Sequence, residues 1–293
     1  MLKRINIKKI NISAYLFLVI PMAVYLTFFV IPNFGSLFYS FFKWNGLDPV
    51  KDFVGLVNYI RLFKSPVFLL TLKNTVFYTL ALILGYNIFG LLIAILIYKK
   101  SKIHSFFRTV YFLPAIFSSV SVGLVWSFIY DPNIGALNTF LKYIGLENLT
   151  TSWLSNSKIA IFSIVLIHIW ATIGYAMVVY IAGLQDIPEE LYEAAEVDGV
   201  NIFQKFFYVT VPLLRNSIMI NIVLATVNGF ISFDFVYIMT RGGVNHSSEV
   251  LATLLYREGF NYSNIGYSSA ISVFLVIIVL LISVIQTQTI QEK

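Results

Sequence analysis

The sequence predicts an all-α, polytopic membrane protein with a single transmembrane domain over residues 1–293, in which six helical spans carry a cytoplasmic helical hairpin. Two properties of the composition indicate that the chain is embedded in a membrane. Hydrophobic residues make up 58% of the chain and charged residues only 12%, whereas soluble proteins carry about 25% charged residues. The third observation is that the apolar residues form six long runs, five of them free of charged side chains.

Each run holds the ~20 apolar residues that a helix needs to cross the hydrocarbon layer. Only the fifth is interrupted, by Asp234. Pro114 lies inside the third run, so we expect that span to bend, with a neighbouring helix satisfying the freed carbonyl. The predicted spans are 14–42, 74–98, 109–130, 159–185, 216–240 and 259–291.

The basic residues indicate the orientation of the spans. Residues 1–13 and 99–108 hold eight Lys and Arg in 23 residues and no acid, whereas segments 43–73, 131–158 and 241–258 hold nine in 77. The positive-inside rule therefore places both termini of this multi-pass membrane protein in the cytoplasm. The first run is too long for a signal peptide and lacks a cleavage site, which makes it an uncleaved anchor.

Segment 186–212, between the fourth and fifth runs, is the one dense patch of acid, with six of the fourteen carboxylates. Each charge would cost about 2.5 kcal/mol or more in lipid, so this segment must lie in water against a partner. We expect Asp186 to cap a first helix and Gly199 to end it in the left-handed conformation. Asn201 should cap a second helix that Pro212 breaks.

Two ionisable side chains fall inside the predicted spans. We hypothesise that Asp234 has a function, because the free-energy cost of a carboxylate inside the membrane must be offset by a partner or by a water-filled cavity. It also precedes Arg241 closely enough to reach the membrane boundary, so structural pairing and contact with a solute both stay open. His168 is expected to be buried, neutral and hydrogen-bonded to an adjacent helix, with contact to substrate or pairing to Asp234 as the alternatives.

The composition excludes several kinds of site. The chain has no Cys, which excludes disulfides, thiol catalysis and a metal site built from Cys. Its three His are far apart in the sequence, so we do not expect a metal site built from His. The net charge of +6 is concentrated at the ends of the spans, which indicates membrane topology and lipid contact rather than nucleic-acid binding. No phosphate-binding loop of the form Gly-x-x-x-x-Gly-Lys-Ser/Thr is present, so we expect ATP to bind elsewhere.

The spacing within the acidic segment resembles a known signature. Glu193-Ala194-Ala195, then Gly199, then Val209-Thr210-Val211-Pro212 resembles the Glu-Ala-Ala, Gly, Ile-x-Leu-Pro signature of ABC-importer permease subunits. Val209 and Val211 depart from it by apolar replacements. In that family the segment is the coupling helix that docks into the ATPase subunit. The resemblance therefore assigns ATPase coupling to Glu193, Ala194, Ala195, Asp198, Gly199 and Pro212.

Other segments are similar to the sugar-importing permeases of the maltose and glycerol-phosphate type. The strongest is 233–243, which resembles that group's Phe-Asp-x-Val-Tyr-x-Met-Thr-x-Gly-Gly landmark; segments 53–59, 131–138 and 256–270 extend the likeness. A neutral sugar or polyol is bound by aromatic faces and uncharged hydrogen-bonding groups. The candidates for the substrate pathway are Asn228, Ser232, Phe233, Asp234, Tyr237, Tyr267 and Ser268.

The resemblance implies a mechanism of alternating access with no chemistry in this chain. It implies a second permease subunit, two ATPase subunits that bind ATP and Mg, and an extracytoplasmic solute-binding protein, with no cofactor in the chain itself. The alternative is an ion-coupled secondary transporter with Asp234 and His168 as a proton relay. That alternative gives no account of the acidic hairpin. A membrane enzyme is disfavoured because no paired carboxylate, metal or nucleophile constellation is present.

Overall fold

The computed structural model describes residues 12–99 and 101–291, which fold almost entirely as helices. Five of the eight basic residues used for orientation lie outside the described residues: Lys3, Arg4, Lys8, Lys9 and Lys100. The helices are α1 (Ile12–Tyr25), α2 (Ile31–Tyr39), α3 (Val57–Lys64), α4 (Pro66–Gly85), α5 (Leu91–Ile97), α6 (Lys102–Phe112), α7 (Ser119–Ile129), α8 (Ala136–Tyr143), α9 (Ala160–Gln185), α10 (Glu189–Val197), α11 (Ile202–Lys205), α12 (Val211–Leu213), α13 (Arg215–Phe230), α14 (Asp234–Met239), α15 (Leu251–Tyr256) and α16 (Ile265–Gln291).

Shorter elements connect or extend these helices. Two-residue strands β1 (Phe42–Lys43) and β2 (Asp52–Phe53) pair antiparallel, with Phe42 opposite Phe53. Wide π-helical turns continue α1, α4, α11 and α15, and three-residue-per-turn helices form three of the connections. The π turns are Leu26–Val30, Tyr86–Gly90, Phe206–Thr210 and Arg257–Asn261, and the tighter turns are Leu113–Ile116, Glu147–Leu149 and Val244–His246.

The prediction of an all-α polytopic membrane protein is confirmed, and the number of spans depends on how two bent helix pairs are counted. Four unbroken helices are long and apolar enough to cross a membrane: Phe17–Tyr39, Pro66–Ile97, Ala160–Gln185 and Ile265–Gln288. Two bent pairs bring the number to six if each counts as one span. The second span begins at Pro66 instead of residue 74, because the Ser65 hydroxyl caps the helix and Pro66 takes its first position.

The third span bends at Pro114, as the sequence predicts, and the bend divides it into two helices. Helix Lys102–Ile116 and helix Ser119–Ile129 meet at 93°. Pro114 lies in the tight turn that ends the first of them, and Phe117 follows in an extended conformation. Proline lacks the backbone N–H that would continue an α-helical ladder, so the chain turns there.

The predicted fifth span, 216–240, consists of two helices, α13 and α14, in the structure. The chain bends by 68° between Ile202–Leu213 and α13. Helix α13 then ends at Phe230, and α14 starts at Asp234 after a three-residue break. Because of this break, the helical period of 100° per residue does not show whether the side chain of Asn228 lies on the same face as side chains of α14.

Helix α9 lies at the centre of the fold. It packs against α4, α5, α13, α14 and the Leu113–Ile116 turn, and Ile164, Ala176, Met177 and Tyr180 along it are fully buried. Gly174 permits close approach of another backbone segment, because a Cβ at that position would lie 2.8 Å from Phe112 Cα. Helix α9 thus joins the hairpin, which follows its last residue, to the rest of the bundle.

Candidate functional sites

The hairpin, residues 186–212, is built from local signals that the sequence carries. Gly199 has φ +72°, and its N–H donates to Glu196 O at 3.1 Å, which ends α10. Asn201 and Gln204 form a reciprocal capping box, with distances of 2.8 and 2.9 Å. Both predictions are confirmed. The predicted cap by Asp186 is wrong, because that residue ends α9 and Pro188 stands before the first turn of α10.

Two side-chain contacts hold the helices of the hairpin together. Lys205 Nζ lies 2.5 Å from Glu196 Oε1, and this hydrogen bond, together with the lysine charge, lowers the pKa of the Glu196 carboxyl below its usual value. The Tyr192 hydroxyl lies 3.3 Å from Thr210 Oγ1. Helix α10 is therefore fastened to the segment that leads into α13.

The structure leaves most of the predicted coupling residues at the surface. Glu193, Ala194, Asp198, Gly199 and Pro212 are exposed, whereas Ala195 is buried against the rest of the hairpin. Small exposed residues permit close approach of a partner, so these positions fit a docking face. Ala195 has a packing role instead.

Large apolar side chains surround the acidic ones on this surface. Val197 is 88% exposed and Ile202 82%, and Phe203 and Tyr208 are nearly as exposed. Together with Glu193, these side chains form the hairpin surface: Glu193, Val197, Ile202, Phe203 and Tyr208. Exposed apolar groups beside charges are typical of a protein contact. The exposure of Val197, Ile202 and Tyr208 was not predicted from the sequence.

Asp234 lies at the break in the fifth span, where two helices begin side by side. It is the first residue of α14, and Ser119 is the first residue of α7, which packs against α14. The Ser119 hydroxyl donates to Asp234 Oδ2 at 2.5 Å. Asp234 is also exposed. Its carboxylate therefore accepts a hydrogen bond from Ser119 and is also accessible to a solute. Structural pairing and contact with a solute are thus compatible roles for Asp234.

His168 does not share a hydrogen bond with Asp234 in the part of the chain that the structure describes. Its Nδ1 lies 2.9 Å from the Tyr78 hydroxyl on α4, and its ring packs on Phe235 with centroids 4.8 Å apart. The side chain is buried. The expectation of a buried histidine bonded to an adjacent helix is confirmed.

Four aromatic rings form a continuous row across α14 and the helix that follows it. Phe233 stacks on Tyr237 with centroids 4.9 Å apart, and Tyr237 meets Tyr256 edge-on at 5.1 Å. Tyr256 in turn stacks on Phe260 at 5.0 Å. This aromatic row offers ring faces and two hydroxyl groups. Phe233 and Tyr237 were predicted for the pathway, and Tyr256 and Phe260 were missed because only the fold brings them to this place.

The remaining predicted pathway residues have mixed surroundings. Asn228 is half-buried on α13, and the Ser232 hydroxyl is buried with no hydrogen-bond partner among the described residues. Ser268 donates its hydroxyl to Leu255 O at 2.8 Å. Tyr267 is buried beneath the guanidinium of Arg61, which lies 4.3 Å from the ring centroid. Ser268 and Tyr267 are therefore both engaged in contacts within the chain.

A buried ionic cluster pins the loop between α14 and α15, a feature that the sequence did not predict. The Glu249 side chain is fully buried and pairs with His246 and with Arg257, whose Nη1 lies 3.1 Å away. Arg257 also donates to Arg241 O at 2.7 Å. Asn74 of α4 donates to three carbonyls of this loop, including Glu249 O at 3.0 Å. The loop next to the aromatic row is therefore rigidly held.

Comparison with known proteins identifies the family. Residues 86–291 match the family described as "Binding-protein-dependent transport system inner membrane component". The chain is 41% identical over 278 residues to the probable ABC transporter permease protein YurN of Bacillus subtilis (strain 168), covering 94% of this chain and 95% of the relative. It is 34% identical over 270 residues to the multiple sugar-binding transport system permease protein MsmF of Streptococcus mutans serotype c, covering 92% of each.

A solved structure shows the same fold. One chain of a bacterial ABC transporter involved in the import of the acidic polysaccharide alginate superposes with a TM-score of 0.80, over 96% of this chain and 95% of that one, at 24% identity. The chain therefore belongs to the family of binding-protein-dependent transport system inner membrane components. It is a membrane permease component of an ABC transporter rather than an enzyme, as its signature predicts.

Proposed function

We propose that this chain forms one half of the translocation pathway of an ATP-driven importer for a sugar or oligosaccharide. It works with a second permease subunit, two ATPase subunits that bind ATP and Mg, and an extracytoplasmic solute-binding protein. Both termini and the hairpin lie in the cytoplasm in this proposal. The observation that carries it is the exposed hairpin surface, which presents Glu193 among apolar side chains at the position of the family signature.

The hairpin transmits motion to the spans in this proposal. When the ATPase subunits close on nucleotide, they move α10 with them. The pair of Lys205 and Glu196 makes α10 and the following segment move together. That segment continues through the fully buried Leu214 into α13. Helices α9 and α13 flank the hairpin, so displacement of the hairpin changes the tilt of both spans.

The aromatic row supports a carbohydrate as the solute. Sugar rings present apolar C–H faces that stack on aromatic side chains, and their hydroxyl groups need uncharged or acidic hydrogen-bond partners. Phe233, Tyr237 and Tyr256 supply rings, and Asp234 lies at the start of the same short helix. The name of the relative MsmF points to the same class of solute.

Reconstitution in vesicles tests this function. Vesicles that contain the chain, its partner permease and the ATPase subunits should accumulate a labelled oligosaccharide when ATP and the loaded binding protein are supplied. Vesicles that contain this chain alone should accumulate none, because no ATP-binding loop is present in its sequence. Solute accumulation by the chain alone, driven by a proton gradient, would refute the proposal and restore the relay through Asp234 and His168.

Replacing Asp234 with asparagine separates a pathway role from a structural one. Asparagine keeps an oxygen that can accept the hydrogen bond from Ser119, and it removes only the charge. We expect uptake to fall about tenfold, because a hydrogen bond to a charged group contributes roughly 1.5–3 kcal/mol, while the yield of assembled transporter stays unchanged. The measurement is initial uptake rate against solute concentration. Ser119→Ala is the matched control, since it removes the donor and keeps the carboxylate. Unaltered uptake kinetics in Asp234→Asn would reduce the acid to a structural partner of Ser119.

A further inference from the structure

Two lysines face one cavity at the end of the bundle opposite to the hairpin. Lys73 of α4 and Lys158, just before α9, line a cavity of about 510 Å³ together with Asn74, Phe77, Phe162 and Val244. Both lysines are exposed. Helix α9 runs from this end to the hairpin, since it starts at Ala160 and ends at Gln185. The lysines are therefore separated from the hairpin by the full length of that helix.

The two lysines share their cavity with an aromatic pair. Phe77 lies four residues after Lys73 on α4, about one helical turn further along, and Phe162 lies in the first turn of α9, four positions after Lys158. The two rings touch edge-on with centroids 4.6 Å apart. The contact between these rings joins α4 to α9 beside the two lysines of the cavity.

The length of α9 indicates that its first residues lie near the boundary of the membrane. Helix α9 has 26 residues, which gives it a length of about 39 Å, slightly more than the ~30 Å hydrocarbon layer. Lys158 precedes its first residue, so its side chain lies where phospholipid headgroups lie. Phe162 is 51% exposed and Leu70, beside the same cavity, 37% exposed. Apolar surface therefore continues from the lysines towards the hydrocarbon.

The charge of the cavity is uncompensated. Its lining contains two lysines and neither Asp nor Glu. Within residues 12–99 and 101–291, neither ammonium group takes part in an ion pair. The nearby acid Glu249 is buried and already paired with His246 and Arg257. A ligand that suits this site has a negative headgroup and an apolar tail.

We propose that Lys73 and Lys158 bind the phosphate headgroup of an anionic phospholipid, whose acyl chains lie along Phe77 and Phe162. Basic residues at the membrane surface attract anionic lipid, and a pocket between spans adds selectivity to that attraction. A free phosphate ion would gain nothing from the exposed aromatic and aliphatic side chains below the lysines. If the hairpin is cytoplasmic, the lipid belongs to the outer leaflet. The leaflet rests on the proposed function, whereas the site does not.

Native mass spectrometry of the full-length chain in detergent tests the site. Phosphatidylglycerol and phosphatidylcholine with the same acyl chains are titrated separately, and inorganic phosphate is tested as a competitor. The wild type should retain phosphatidylglycerol in preference to phosphatidylcholine. The double variant Lys73→Gln/Lys158→Gln should bind phosphatidylglycerol roughly tenfold more weakly or worse. Lys73→Arg/Lys158→Arg should keep the affinity, because arginine also pairs with phosphate.

A matched control changes the same charge elsewhere. Lys64→Gln/Lys142→Gln removes two exposed lysines that do not line this cavity and should leave lipid retention unchanged. Equal phosphatidylglycerol retention by the wild type and Lys73→Gln/Lys158→Gln would overturn the proposal. So would equal retention of the two lipids by the wild type, or displacement of the lipid by millimolar phosphate. Loss of lipid on assembly with the partner permease would assign the lysines to that subunit instead. A thermal unfolding midpoint equal to that of the wild type shows that each variant is folded.

Discussion

Replacing Glu193 with lysine should abolish ATP-driven uptake and leave the chain inserted in the membrane. Glu193 is exposed, and it is two residues from the buried Ala195, which places it about 200° away, on the outer face of α10. Among the described residues it has no ion-pair partner. The substitution therefore changes only what an outside partner meets.

The expected loss of uptake is roughly 100-fold or more, because reversing a charge within a complementary interface costs several kcal/mol. Two measurements check it: the amount of ATPase subunit that copurifies with the chain, and solute uptake by reconstituted vesicles. The ATPase activity of the partner subunits should become independent of the binding protein, since the two sides are no longer connected.

The control for this variant is Glu147→Lys. Glu147 is also exposed, and it lies in the turn Glu147–Leu149 between α8 and α9, before α9 begins. The two variants have the same composition and net charge, so only the position of the change differs. Glu147→Lys should copurify and transport like the wild type. If Glu193→Lys retained its ATPase at wild-type stoichiometry, the hairpin surface would not be the docking face.

The hydrophobic runs predict where the spans lie much better than where they end. Lys73 made the second run look as if it started at residue 74, yet a lysine near the end of a span can extend its charge to the boundary while its stem stays in apolar surroundings. The Ser65-Pro66 pair is the true start signal. A capping serine followed by proline is readable in the sequence. A start placed at the first residue after the last charged side chain, Lys73, therefore falls eight residues too late.

The break in the third span can be predicted from the sequence, whereas the break in the fifth span cannot. Pro114 marks the bend of the third span, because its ring and missing N–H act locally. Nothing of that kind marks Ile231–Phe233 in the fifth span, where the sequence contains neither glycine nor proline. There the chain is set by tertiary contacts, namely α14 packing on α7 and the hydrogen bond from Ser119 to Asp234. A single sequence does not reveal such long-range partners.

The two candidate sites show the same division. The hairpin depends on Gly199 and on the Asn201 and Gln204 pair, which act over three or four residues and were predicted. The aromatic row depends on the approach of Tyr256 to Phe233, 23 positions apart in the chain. The sequence motif contained Tyr256, but only the fold shows that its ring extends the surface formed by Phe233 and Tyr237.

Replacing Arg257 with methionine should strongly destabilise the chain. The variant leaves the Glu249 carboxylate fully buried without its arginine partner. Removal of one member of a buried ion pair costs about 3–5 kcal/mol when the remaining charge is uncompensated, and in this variant His246 is the one ion-pair partner left to Glu249 among the described residues. The side chain of Arg257 is 20% exposed, so water offsets part of this and the lower end of the range is expected. The measurement is the free energy of unfolding in mixed micelles, followed by the loss of helical circular dichroism.

The double variant Arg257→Met/Glu249→Met distinguishes the buried charge from lost packing. Replacing both members of a buried pair by apolar residues is often close to neutral, so the double variant should be more stable than Arg257→Met alone. Arg61→Met is the control for loss of an arginine, since Arg61 is exposed and stacks over Tyr267. It should cost no more than about 1 kcal/mol. If the double variant is as unstable as Arg257→Met, the cluster stabilises the loop through the fit of the arginine side chain and its bond to Arg241 O, and the charge of Glu249 contributes little.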